Sequence, residues 1–237
     1  MPYIVVLKTT CYNLDILEVL FMANKSMRDM IKLKLGEEIA NCVTHGIMAI
    51  LILCILAPAS LYAYLQGGSI QMVGVTICLI ALFLMSLTST LYHCMPFGSN
   101  HKYVFRKLDH ICIFLAIAGT YTPVALTLIG GWQGFLVLVI EWTAVLFGIL
   151  LKAISSKSYP KLSMMIYMAM GWAAIMFLPL LLQKASLTFL IYIVAGGLMY
   201  TIGAIFYGLK KPYMHAIWHV CINIASILHI IAVVFYL

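Results

Sequence analysis

Two histidines near the C-terminus, His215 and His219, stand four residues apart at the start of a long apolar run. That spacing puts both imidazoles on one face of a helix, one turn apart. Asn223, Ser226 and His229 continue the same face. Such a pair offers two nitrogens to one metal ion; its other use is hydrogen bonding between helices. Two further stretches carry chemistry. Ser86, Ser89 and His93 share a helical face and end an apolar run, and Asp109-His110 opens the next one, three residues after Arg106. Imidazoles, a carboxylate and a hydroxyl are the groups that hold a hydrolytic metal, accept a proton from water and orient a carbonyl.

These residues must be positioned inside lipid. Of 237 residues, 65% are hydrophobic and 9% charged, with mean hydropathy +1.09, against about 25% charged in a soluble domain. The composition requires a polytopic membrane protein. In that setting the net charge of +7 reports topology rather than nucleic-acid binding, and no nucleic-acid partner is expected. The seven cysteines are odd in number and contain no C-x-x-C, which argues against a disulfide framework or a zinc ribbon and leaves buried small hydrophobes as the default.

The expected fold class is all-α, a bundle of seven transmembrane helices. The spans run over Thr44–Tyr64, Ile70–Tyr92, Leu108–Leu128 (broken near Pro123), Trp132–Leu151, Leu162–Leu182, Leu187–Leu209 and Tyr213–Leu237. Residues 1–35 read as an N-terminal cytoplasmic tail and 36–237 as the membrane domain. The tail shows no secretory signal pattern; its first 29 residues read as dispensable, and Asp15 to Met22 could form a short interfacial helix. Of the 14 Lys and Arg, 13 fall on one side of a seven-span arrangement and Lys184 alone on the other. The positive-inside rule then places the N-terminus in the cytoplasm and the C-terminus outside.

This arrangement gathers the polar residues. His93 ends the second span, Asp109 begins the third, and His215 and His219 begin the seventh, all on the cytoplasmic face; six of the seven histidines lie at or near it. Three imidazoles from two helices match a zinc site with an open fourth position. His93, His215 and His219 are therefore the expected ligands of one Zn²⁺. Asp109 is expected to orient a ligand, act as a base or bind through water, with Ser89 one turn above His93 to hydrogen-bond the same water or a substrate carbonyl. Without a metal, the same residues form a polar network pinning helices two, three and seven. Cys112 is the rival ligand. His101 and His110 read as loop and interfacial residues, His45 as a neighbour of the site or a packing residue, and His229 as a helix–helix hydrogen bond rather than a ligand. Glu141, mid-span, is open between a buried partner and a water-facing role.

The stretches Glu38…Asn41…Thr44-His45-Gly46, Ser89-x3-His93, Asp109-His110 with Ala118-Gly119-Thr120-Tyr121-Thr122-Pro123, and His215-Ala216-Ile217-Trp218-His219 resemble, in order, the hemolysin III family. That family is the bacterial branch of the adiponectin/progestin-receptor-like membrane proteins, and the likeness runs from about residue 36 to the end. The resemblance implies seven helices, a cytoplasmic N-terminus and zinc on His93, His215 and His219, with Asp109 and Ser89 beside them. It also implies two activities: hydrolysis of a lipid amide, as in the receptor branch and the related alkaline ceramidases, and the haemolytic pore formation for which the bacterial branch is named. The leading expectation is a zinc-dependent hydrolase in the cell membrane acting on a lipid amide or ester. The alternatives are a cytolysin or channel, and a membrane-homeostasis lipid sensor. A membrane lipid is the partner in the first and last of these, and the oligomeric state is not readable.

Overall fold

A computed structural model describes residues 32–154 and 159–237; the first 31 residues of the expected tail, with its interfacial helix, and Lys157 lie outside the described residues. Every regular element among the described residues is helical. The order is α1 (Leu35–Cys94), α2 (Asn100–Pro123) with a π-helical extension Val124–Ile129, and α3 (Gly131–Ile154). Then follow α4 (Pro160–Trp172), a 3₁₀ segment Ala173–Phe177 leading into α5 (Leu178–Lys184), α6 (Leu187–Gly208) and α7 (Met214–Phe235). Six helical stretches among the described residues are long and apolar enough to cross a membrane. The chain is a multi-pass integral membrane protein.

The first of the six is 60 residues. A straight helix of that length would run about 90 Å, three times the hydrocarbon thickness. It does not run straight. Gly67 and Gly68 leave helical geometry, and Gly68 sits at φ +71, which a residue with a Cβ adopts only at a cost. The chain reverses there, and α1 becomes a hairpin with a first arm over 35–66 and a second arm over 69–94. Thr76 donates to Ser60 Oγ at 2.8 Å near the turn, and Asn41 Nδ2 lies 3.5 Å from His93 Nδ1 at the far end.

The first arm begins at Leu35, nine residues before the expected Thr44, and α2 begins at Asn100 rather than Leu108. Both extensions carry charge and so fell outside a hydropathy reading. They are helical because their polar residues have partners. Ser99 caps α2 by accepting from Lys102 N at 3.1 Å. Glu37 accepts from Lys34 N at 3.3 Å at the start of α1.

Helices in lipid associate by close packing of small residues rather than by hydrophobic exclusion. The second arm packs on α2 at such a contact: a Cβ at Gly119 would press on Ala81 Cβ and approach the backbone of Cys78. Gly196 of α6 likewise sits under the His229 ring of α7. The resulting core joins Leu79, Leu82 and Met85 of the second arm to Cys112 and Ala116 of α2 and Ile222, Ile230 and Val233 of α7. Pro123 is followed by the π segment, where the break near Pro123 was expected; within the fifth expected span the chain changes to 3₁₀ over Ala173–Phe177, before Pro179.

Candidate metal centre

Four segments meet at one end of the bundle: the base of the first arm, the end of the second arm, the start of α2 and the start of α7. Each is held there by hydrogen bonds that lipid could not replace. Glu37 Oε1 accepts from Tyr213 N at 2.9 Å, where Tyr213 adopts the left-handed conformation (φ 62) just before α7. Asn223 Nδ2 of α7 donates to the Thr44 carbonyl of the first arm at 2.9 Å. These two contacts fix the first two turns of α7 against the first arm.

The consequence is a convergence of three imidazoles. One ring nitrogen each from His93, His215 and His219 can be chosen so that all three lie within 4.8 Å of one another. The ring centroids are 5.2 Å apart for His93 and His215, 5.3 Å for His93 and His219, and 4.6 Å for His215 and His219. His93 and His219 are almost fully buried and His215 is half-buried.

The neighbours determine which nitrogen of each ring is free. His93 Nδ1 lies 2.6 Å from Glu38 Oε2, so it donates there. His219 Nδ1 lies 3.2 Å from the Asn41 carbonyl, which can only accept. Both rings therefore present a bare Nε2. His93 Nε2 and His215 Nε2 are buried with no hydrogen-bond partner. Buried polar atoms without partners are costly, and unpaired imidazole nitrogens facing one another are the donor set of a divalent metal. The residues present fit a zinc ion in this respect, and Glu38 supplies the carboxylate–histidine contact typical of metal-bound imidazoles.

Glu38 is itself held. Its other oxygen lies 2.9 Å from Lys102 Nζ, and Lys102 also donates to the carbonyls of Tyr92 and Met95, each at 3.1 Å. Lys102 is 1% exposed. One ammonium thus caps the last turn of the second arm and neutralises the carboxylate that orients His93. Neither residue was singled out by its type for this role. Glu38 lies 55 residues from His93 in the chain, and Lys102 reads in sequence as one more cytoplasmic charge. The available signal was Glu38 in helical register with Asn41 and His45, three polar residues on one face of an otherwise apolar span.

Asp109 and Ser89 are both buried. Both line an apolar cavity of about 260 Å³, together with His45. The cavity continues past Tyr121 to Ile129 and Leu181 at the opposite end of the bundle. Ile175 and Val194 line it and are each more than half exposed, so it opens sideways. His45 stacks edge-on against His219 with ring centroids 3.9 Å apart, and its Nδ1 is unpartnered.

The remaining candidates fall elsewhere. Cys112 is buried and lies outside the three-histidine group. His110 Nδ1 donates to the Arg106 carbonyl at 2.5 Å. His101 is exposed. His229 Nε2 donates across helices to the Ile193 carbonyl at 3.2 Å, the interhelical role expected for it. Glu141 is fully buried, and neither carboxyl oxygen has a partner among the described residues.

A helical membrane bundle with three convergent imidazoles at one end of an apolar cavity defines a class of integral membrane proteins with a candidate metal centre. The family model described as "Haemolysin-III related" matches residues 33–230, and the chain belongs to that family. It is 37% identical over 201 residues to "Hemolysin-3" of Bacillus cereus, covering 84% of this chain and 91% of the relative. It is equally identical to the "Hemolysin-3 homolog" of Bacillus subtilis (strain 168), over 84% of this chain and 94% of that protein. A more distant relative is the human "Monocyte to macrophage differentiation factor", 25% identical over 85% of this chain and 84% of its own length.

Proposed function

We propose that this protein is a seven-pass membrane hydrolase that uses zinc held by His93, His215 and His219 to cleave an amide or ester bond of a lipid. The observation that carries the reading is the pair of buried, unpartnered imidazole nitrogens on His93 and His215, within a three-histidine group, together with an apolar cavity lined by Asp109 and Ser89. A zinc ion held there would supply Lewis acidity toward a carbonyl and acidify a water molecule toward neutral pH. The chain's own residues do the rest. Asp109 takes a proton from the attacking water and returns it to the leaving amine or alcohol. Ser89, which lines the cavity with Asp109, presents its hydroxyl to the scissile carbonyl. Glu38, braced by Lys102, keeps the Nδ1 proton on His93 so that Nε2 remains available. The cavity wall excludes water from the acyl chain, and the side opening past Ile175 and Val194 admits a lipid from the bilayer.

Each arm of α1 crosses the bilayer, which brings the crossings to seven, with the N-terminus cytoplasmic and the C-terminus outside. The support is the reversal at Gly67-Gly68 and the charge asymmetry, 13 of 14 Lys and Arg on one side.

The cytolysin reading rests on the name hemolysin carried by the Bacillus relatives. The cavity here is walled mostly by apolar side chains, which favours an acyl chain over an aqueous path. The test is purified protein incubated with ceramide or an N-acyl amide, with and without chelator. Release of fatty acid that chelator stops and zinc restores supports the hydrolase. Lipid binding without turnover supports a sensor, and lysis of erythrocytes by the purified protein supports a cytolysin.

A further inference from the structure

Cys42 and Cys94 were read from sequence as ordinary small hydrophobes. The structure brings them together. Cys42 lies on the first arm of α1 and Cys94 ends the second, 52 residues apart in the chain, with their Sγ atoms 2.7 Å apart. That is well inside the contact distance of two unbonded sulfurs. Cys94 is exposed and Cys42 half-buried; Cys54 is also exposed, and Cys78, Cys112 and Cys221 are buried. What sets Cys42 and Cys94 apart is the second sulfur beside each; reactivity of a thiol follows its thiolate character and its access, and of the two Cys94 has the greater access. The pair also sits against the metal centre by sequence: Cys42 follows Asn41, whose carbonyl accepts from His219, and Cys94 follows His93.

We propose that Cys42 and Cys94 are a redox pair, which a hydroperoxide converts to a disulfide that clamps the two arms of α1 at the base of the three-histidine cluster. The Cys94 sulfur attacks one peroxide oxygen; the O–O bond breaks and an alcohol or water leaves, giving a sulfenic acid. The Cys42 sulfur then attacks the Cys94 sulfur, the S–O bond breaks and water leaves. Two thiols lose two electrons and two protons, and the hydroperoxide is reduced to an alcohol and water. In a reducing compartment the pair rests as thiols, and the bond forms only under oxidant load. Once formed, it closes the hairpin covalently where Glu38 and Asn41 meet His93, so the arms can no longer part there.

The disulfide does not depend on the hydrolase reading, and its test needs no substrate. Full-length purified protein is treated with hydrogen peroxide, and free thiols are counted after denaturation. The count is expected to fall from seven to five, with a peptide crosslink between Cys42 and Cys94 by mass spectrometry and full recovery with dithiothreitol. Oxidation is expected to raise the melting midpoint of the wild type and not of Cys42→Ser, in which Cys94 instead accumulates as a sulfenic acid trapped by dimedone. Both Cys42→Ser and Cys94→Ser are expected to retain the wild-type metal content. A crosslink that avoids this pair, or none, overturns the proposal. So does loss of metal from the reduced Cys→Ser variants, which would make the sulfurs ligands instead.

Discussion

Glu38 has two oxygens and two duties. One accepts from His93 at 2.6 Å and the other pairs with Lys102 at 2.9 Å. Removing the carboxylate should therefore loosen the His93 ring without removing a ligand. Glu38→Gln is expected to weaken zinc binding about 10- to 100-fold, read by competition with a chelator, while the protein still folds. Asp109→Asn is expected to behave oppositely: zinc content close to wild type, lipid hydrolysis lost. Equal loss of zinc in both variants would mean that Asp109 is part of the donor set rather than a base. The three histidines were legible because two of them share a helical turn and all sit at one end of apolar runs. Glu38 and Lys102 were not, because their roles exist only once segments far apart in the chain meet. The sequence carries the charges but not the pairing. Cys112 and His93 were both candidates in sequence, and geometry separates them: the structure groups His93 with the α7 pair and leaves Cys112 outside that group.

At the scale of elements, the site depends on how tightly the second arm meets α2 and on Lys102 at the start of α2. Gly119 leaves no room for a side chain against Ala81. Gly119→Val is expected to cost about 1–3 kcal/mol through overpacking, seen as a lower melting midpoint of the purified protein. Lys102→Met strands the Glu38 carboxylate and uncaps the second arm; a loss of about 3 kcal/mol is expected, against little effect for Lys102→Arg if the guanidinium reaches the same partners. A melting midpoint unchanged in Lys102→Met would show that the ion pair does not brace the site. Hydropathy located the apolar centre of each helix because lipid demands it. It missed the first nine residues of α1 and the first eight of α2, which are helical yet polar and are stabilised by contacts between segments. The π and 3₁₀ segments were equally invisible beyond the proline near each of them, since their geometry is set by packing in the bundle.

For the whole molecule, the arrangement is a bundle in which the chain's first and last described helices close on each other at the metal end. The charge asymmetry predicts that this end faces the cytoplasm. A reporter active only in the cytoplasm is expected to be silent when fused after Leu237 and active in the loop at Lys210-Lys211; the reverse would invert the topology and with it the compartment that meets the site. The central claim is that one histidine from the second arm of the hairpin and two from the last helix jointly hold one metal ion. Its most direct measurement is elemental analysis of the purified wild type beside His93→Ala, the double variant His215→Ala, His219→Ala, and Cys112→Ser. One equivalent of zinc per chain is predicted for the wild type and Cys112→Ser, with none in the histidine variants. The double variant should also melt at lower temperature, because an ion that binds only the folded state stabilises it. Full zinc in His93→Ala, or its loss in Cys112→Ser, would contradict the account.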